Sequence, residues 1–176
     1  MRIPRQLANL YPPFLGAGIR VKSKADFSEI RSEIKLRWWN RNYVGTHFGG
    51  SIYTMTDPFY MIMLIEQLGR GYRVWLKEAT VRFLRPGRGT IGADFRVSPQ
   101  TVAELKRRVD LLTRDEIVLP VSVTDEGGNV VAEVIQTLHV RRRDGKRANG
   151  ALVETGDAAA RGNHHVPEPR LEQSPR

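Results

Sequence analysis

One carboxylate, Asp57, stands in an otherwise acid-free stretch from residue 34 to residue 65, seven residues past the glycine pair Gly49-Gly50. That spacing suits acyl chemistry. The polar, glycine-bearing loop 40–50 leads into apolar positions from Ile52 onward, so the glycines sit where a helix begins. The first turn of a helix offers unpaired N–H groups and the positive end of its dipole. Such donors can hold a carbonyl oxygen as it becomes an oxyanion. A rise of about 1.5 Å per residue puts Asp57 roughly 10 Å along that helix, as general base or nucleophile.

Each of these residues also has a structural use. Asp is a favoured N-cap and Pro a favoured first helical residue, so Asp57-Pro58 could break the helix and cap a second segment to Leu68. Gly49 and Gly50 suit close helix packing as well as close approach of a substrate. His47 serves as a catalytic group or as a loop histidine at the core edge. Asn42 orients a substrate or braces its own turn. Ser51 and Thr54 are substrate contacts by position, although helical hydroxyls such as Thr54 and Thr56 usually bond the preceding turn. Tyr53, Met55, Tyr60 and Met63 read as core, with an acyl tunnel as the functional alternative. Arg82, Arg85 and Arg88 flank Pro86-Gly87 and are candidates for phosphate contact, or a solvated face. Arg141-Arg142-Arg143 is a charge run at a domain end, and Glu66 and Gln67 are rim residues. No His, Asp or Glu cluster has metal-ligand spacing, so no metal is expected.

The elements that must position these groups follow from periodicity. Ile30, Ile34, Leu36 and Trp38 alternate with Arg31, Glu33, Lys35 and Arg37, predicting a half-buried strand over 28–39 with one of Trp38 and Trp39 inward. A helix over 50–69 is apolar nearly all round and must be covered on most sides. Strands are expected over 72–84, 90–97, 117–124 and 130–140, the last two joined by the hairpin signal Asp125-Glu126-Gly127-Gly128-Asn129. A second helix spans 101–112, with Val102, Leu105, Val109 and Leu112 on one stripe. A short helix is read at 6–10, stopped by Pro12-Pro13, and a brief extended stretch at Ile19 and Val21. One buried helix among many strands implies an α+β fold with an antiparallel sheet wrapped around it.

Composition bounds the classes. The chain has 176 residues and no cysteine, which excludes disulfides and thiolate chemistry. Its longest apolar run, Phe59 to Ile65, is seven residues, far short of a membrane span. No stretch resembles a signal peptide, so a soluble, cytoplasmic protein is expected. Residues 1–143 hold 23 Lys+Arg against 14 Asp+Glu and residues 144–176 hold 5 against 5, so the net charge of +9 belongs to the folded part. A basic domain attracts polyanions: nucleic acid, anionic lipid, or a phosphate-bearing cofactor such as coenzyme A. No nucleic-acid-binding motif accompanies the charge, so specific nucleic-acid binding is not expected. Residues 144–176 lack periodicity and are expected to be a disordered tail.

The order of strand, glycine loop, buried helix and antiparallel meander resembles the hot-dog fold. The loop and helix are similar to those of its PaaI-like thioesterases. The runs Trp38-Trp39-Asn40-Arg41-Asn42-Tyr43-Val44-Gly45-Thr46-His47-Phe48-Gly49-Gly50-Ser51 and Lys77-Glu78-Ala79-Thr80-Val81-Arg82-Phe83-Leu84-Arg85-Pro86-Gly87 resemble an uncharacterised branch, a domain of unknown function. The resemblance covers roughly 8–143, as one hot-dog domain over 1–143. It implies hydrolysis of acyl-coenzyme A or acyl-carrier thioesters at sites in the interface of a homodimer or homotetramer. Coenzyme A would enter as part of the substrate, with no separate cofactor. In the related motif a histidine directly precedes the glycine pair and an aspartate lies seven residues beyond it. Asp57 matches, the oxyanion role falls to the backbone around Gly50, and His47 stands one residue further from Gly49 than the pattern. The alternatives are an acyl-ligand binder without turnover and, less favoured, a nucleic-acid binder.

Overall fold

The computed structural model describes residues 9–143; the expected tail over 144–176 lies outside them. In chain order the elements are α1 (Pro12–Ala17), β1 (Ile19–Ser23), β2 (Glu29–Lys35), α2 (Gly49–Thr54), α3 (Phe59–Leu68), β3 (Tyr72–Phe83), β4 (Thr90–Arg96), α4 (Pro99–Leu112), β5 (Arg114–Asp125) and β6 (Val130–Arg142). The six strands form one antiparallel sheet in the order β1-β2-β4-β5-β6-β3. One face of that sheet and the α2–α3 segment share a core in which Ile34, Phe95, Val123 and Leu138 are buried with Met55, Phe59, Met63 and Leu64. This is the α+β hot-dog architecture.

The sheet follows the sequence pattern until local chemistry interrupts it. In β2, Ile30, Ser32 and Ile34 are buried while Arg31 and Lys35 are exposed. The strand ends at Lys35 rather than continuing to Trp39, because Asn40 folds back on it. The Asn40 side chain accepts from Arg37 N and donates to the carbonyls of Lys35 and Ala17. Trp38 and Trp39 therefore lie in a turn, and both are exposed, at 78% and 48%. The expectation of one inward ring is corrected. In β3, Tyr72, Val74 and Leu76 face inward, and a bulge between Leu76 and Glu78 passes that face to Ala79 and Val81.

The short helix expected at 6–10 lies largely outside the described residues, and the Pro12-Pro13 pair starts α1, since a missing N–H is no loss in the first turn. One helix expectation is corrected. Leu112 is exposed, because α4 ends there and Thr113 turns left-handed at φ 69°. Val102, Leu105 and Val109 are buried as predicted.

The central helix is broken. Pro58 has no N–H to give the Thr54 carbonyl, and the chain turns over residues 55–58 between α2 and α3. The carbonyls freed in that turn are satisfied from the sheet. Ser32 Oγ on β2 donates to Met55 O at 2.7 Å. Gln136 Nε2 on β6 reaches Thr56 O at 3.0 Å and Asp57 O at 3.4 Å. Both side chains are fully buried, so these bonds form where water cannot replace them.

Candidate functional site

The loop before α2 is a braced turn. Asn42 Oδ1 accepts from Val44 N and Thr46 N, and its Nδ2 donates to Thr46 Oγ1 and His47 O. Every polar atom of the Asn42 side chain thus serves the loop itself. His47 ties the loop to the β3–β4 connection: its backbone N donates to Gly87 O, and its ring Nε2 donates to Gly89 O at 3.1 Å. The ring is 3% exposed, and its Nδ1 has no partner among the described residues. Burial pushes the imidazole below its ordinary pKa, opposed by the Gly89 bond, so it stays neutral with the proton on Nε2.

The glycine pair has two close neighbours. A Cβ on Gly50 would lie 2.4 Å from Cε1 of Phe48, whose ring covers that position. A Cβ on Gly49 would lie 3.2 Å from Cζ of Phe83 at the end of β3. Phe48 is the N-cap residue and supplies no side-chain cap. Ile52 N bonds Phe48 O, but the N–H groups of Gly49, Gly50 and Ser51 meet no acceptor among the described residues.

A cleft of about 420 Å³ opens beside this turn. Pro13, Gly16 and Ala17 of α1 form one wall, Trp39, Asn40, Arg41 and Phe48 the loop side, and Gly50, Ser51 and Thr54 of α2 the other wall. Thr54 Oγ1 donates to Gly50 O at 2.8 Å, whereas the Ser51 hydroxyl has no partner among the described residues. The structure thus brings Gly50, Ser51 and Thr54 to one cavity.

Asp57 is half-buried in the turn after α2 and does not line the cleft. It is not the cap of α3 either: Pro58 takes that position without a side-chain bond. Instead Asp57 Oδ1 accepts from the Tyr53 hydroxyl at 2.9 Å. Burial, then the bond to Asp57 and its negative charge, push the Tyr53 hydroxyl up to about 12, so it remains a donor. The second carboxylate oxygen has no partner among the described residues. Arg82 makes a 3.4 Å contact with Glu133, and Arg85 donates to Asn129 Oδ1. Both arginines are exposed and flank Phe83, the residue against Gly49. No described His, Asp or Glu cluster could hold a metal.

Sequence reasoning did not pick out Gln136, Ser32, the Tyr53–Asp57 pair or the α1 wall. Signals existed for three of them. Ser32 and Gln136 are polar residues at inward positions of apolar strands, and Tyr53 lies four residues before Asp57, one helical turn. The α1 wall is made of Pro, Gly and Ala, which carry no chemical signature.

Similar architecture occurs in solved structures. A protein of unknown function from Pseudomonas aeruginosa, described as a probable thioesterase, is 23% identical with a TM-score of 0.72, over 81% of this chain and 99% of that one. A thioesterase from Haemophilus influenzae is 14% identical with a TM-score of 0.57, over 78% and 87%. The PaaI protein from the phenylacetic acid degradation operon of E. coli is 15% identical with a TM-score of 0.55, over 80% and 90%. These likenesses establish the hot-dog fold. No curated protein matches the sequence. A family model matches residues 2–140, nearly the whole described region, and the chain therefore belongs to the family described as domain of unknown function DUF4442.

Proposed function

We propose that the protein hydrolyses an acyl thioester, with coenzyme A or a carrier protein as the thiol. The observation that carries this reading is the uncapped first turn of α2. Its three N–H groups at Gly49, Gly50 and Ser51, without an acceptor among the described residues, stand beside a cleft in a fold shared with thioesterases. Those donors would polarise the thioester carbonyl and hold the tetrahedral oxyanion. Tyr53 fixes one oxygen of Asp57, and the other would take a proton from water as the water oxygen attacks the carbonyl carbon. The C–S bond then breaks, the thiolate leaves, and it picks up the proton. Arg82 and Arg85, near the glycine turn, are the groups offered to coenzyme A phosphates.

The site is proposed to be completed by a second protomer. β3 is a twelve-residue edge strand whose outer side pairs with nothing among the described residues. A long open edge calls for a partner strand. Thiol release from short, long and aromatic acyl-coenzyme A esters tests the chemistry. Asp57→Asn should lower turnover at least about 100-fold, the low end for loss of a general base. Near wild-type turnover in that variant would remove Asp57 from the mechanism.

A second reading, acyl-ligand binding without turnover, is favoured by the position of Asp57 outside the cleft and by the locked imidazole of His47. Calorimetric binding of the same esters with no thiol released would select it.

A further inference from the structure

We propose that the surface around the mouth of the cleft docks on an anionic phospholipid bilayer, and that the acyl thioester is drawn from that bilayer. Two segments frame the cleft, residues 9–18 and 34–56, and they hold no Asp or Glu. Their charged side chains are Lys35, Arg37 and Arg41, all exposed. The same segments carry eight of the fifteen exposed large hydrophobic side chains of the described region, so apolar exposure is concentrated there. The chemistry of those side chains is that of a membrane interface: Trp and Tyr, with an apolar body and a polar edge, beside arginines that meet phosphate.

The arrangement supports the same occupant. Trp38 and Trp39 stack edge to face at 5.7 Å, and the Arg37 guanidinium lies 5.3 Å above the Trp39 ring. Trp39, Arg41 and Phe48 line the cleft as well as facing solvent, so the cavity opens within the aromatic surface. Tyr43 and Val44, both strongly exposed, occupy the turn closed by the Gly45 N to Asn42 O bond. A turn tip with an aromatic and an aliphatic residue is shaped for insertion among headgroups. A bilayer against that surface would present acyl chains at the mouth of the cleft.

Only the identity of the ligand rests on the thioesterase reading; docking does not require turnover. The test is sedimentation of the purified full chain with vesicles of phosphatidylcholine alone and of phosphatidylcholine with phosphatidylglycerol. Wild type should bind the anionic vesicles at least about tenfold more tightly than the neutral ones, and salt should weaken that binding. The double variants Trp38→Ala with Tyr43→Ala, and Arg37→Ala with Arg41→Ala, should each lose about tenfold or more. Arg73→Ala with Arg141→Ala, on the far face of the sheet, should bind as wild type does. Failure of wild type to sediment with anionic vesicles overturns the proposal, and so does loss confined to the Arg73 and Arg141 variant. A fall in solution mass in the Trp38 and Tyr43 variant also overturns it, because a second copy would then cover the patch. Hydrolysis of a short, water-soluble acyl-coenzyme A without vesicles should survive in the Trp38 and Tyr43 variant. If wild type hydrolyses no ester yet docks on anionic vesicles, the catalytic reading falls and the docking stands.

Discussion

At the scale of single residues, His47 has been given the most by its surroundings. Its ring is buried and neutral, and its bond to the Gly89 carbonyl ties the loop to the 86–89 turn. Its folded pKa lies below the unfolded value of about 6.5. The stability this contributes is full above that value and is lost as pH falls, because the unfolded chain takes up a proton that the fold refuses. Resistance to urea should therefore fall below about pH 6.5, and His47→Asn should flatten that dependence while lowering stability at neutral pH. The carboxylates with lowered pKa values, such as Asp110 and Asp115, lose their contribution only in more acid solution, below their ordinary 3.8. Gly50 has a different constraint. A methyl group there meets the Phe48 ring at 2.4 Å, so Gly50→Ala should cost about 1–3 kcal/mol unless Phe48 swings away. Adding Phe48→Ala should restore part of the loss in the same denaturation measurement, since it removes the obstructing ring.

At the scale of elements, the break between α2 and α3 decides where Asp57 stands. Pro58 interrupts the helix, and Gln136 and Ser32 accept the consequence by donating to carbonyls that helical N–H groups no longer reach. Gln136→Leu leaves the buried Thr56 carbonyl and the half-buried Asp57 carbonyl without that amide and should destabilise the fold by about 1–3 kcal/mol in urea unfolding. Full stability in that variant would show that the turn satisfies itself. The outer face of the sheet holds a second element-scale feature. Arg141 lies directly across from Arg73 on β3 and Arg114 on β5, so three like charges share one cross-strand row. Like charges at that spacing repel, and Arg141→Glu should raise the midpoint of thermal unfolding by relieving both contacts, worth about 0.5–1 kcal/mol together. A lower midpoint would mean that the arginines are spread far enough by solvent to avoid each other.

For the whole molecule, the open β3 edge predicts pairing in solution, with a measured mass of at least twice the 20.0 kDa of one chain. A monomeric mass in light scattering would leave the edge unpaired and remove the interface from the proposed site. Among the described residues no helix is long and apolar enough to cross a membrane. The sequence by itself determined where most strands lie, the helical segments that became α2, α3 and α4, the hairpin at Asp125–Asn129 and the place of the glycine pair at a helix start. These depend on periodicity and on turn chemistry, which act over a few residues. It also marked the Asp57-Pro58 step as a point where the helix could break. Only the tertiary structure decided that Trp38 and Trp39 both face out, because that depends on Asn40 reaching Ala17 across 23 residues. Only it decided that the His47 ring meets the Gly89 carbonyl, that Gln136 reaches the broken helix 80 residues away, and that α1 forms a cleft with Ser51 and Thr54. A periodic pattern says which way a side chain points, but which carbonyl it meets is settled by packing between distant parts of the chain.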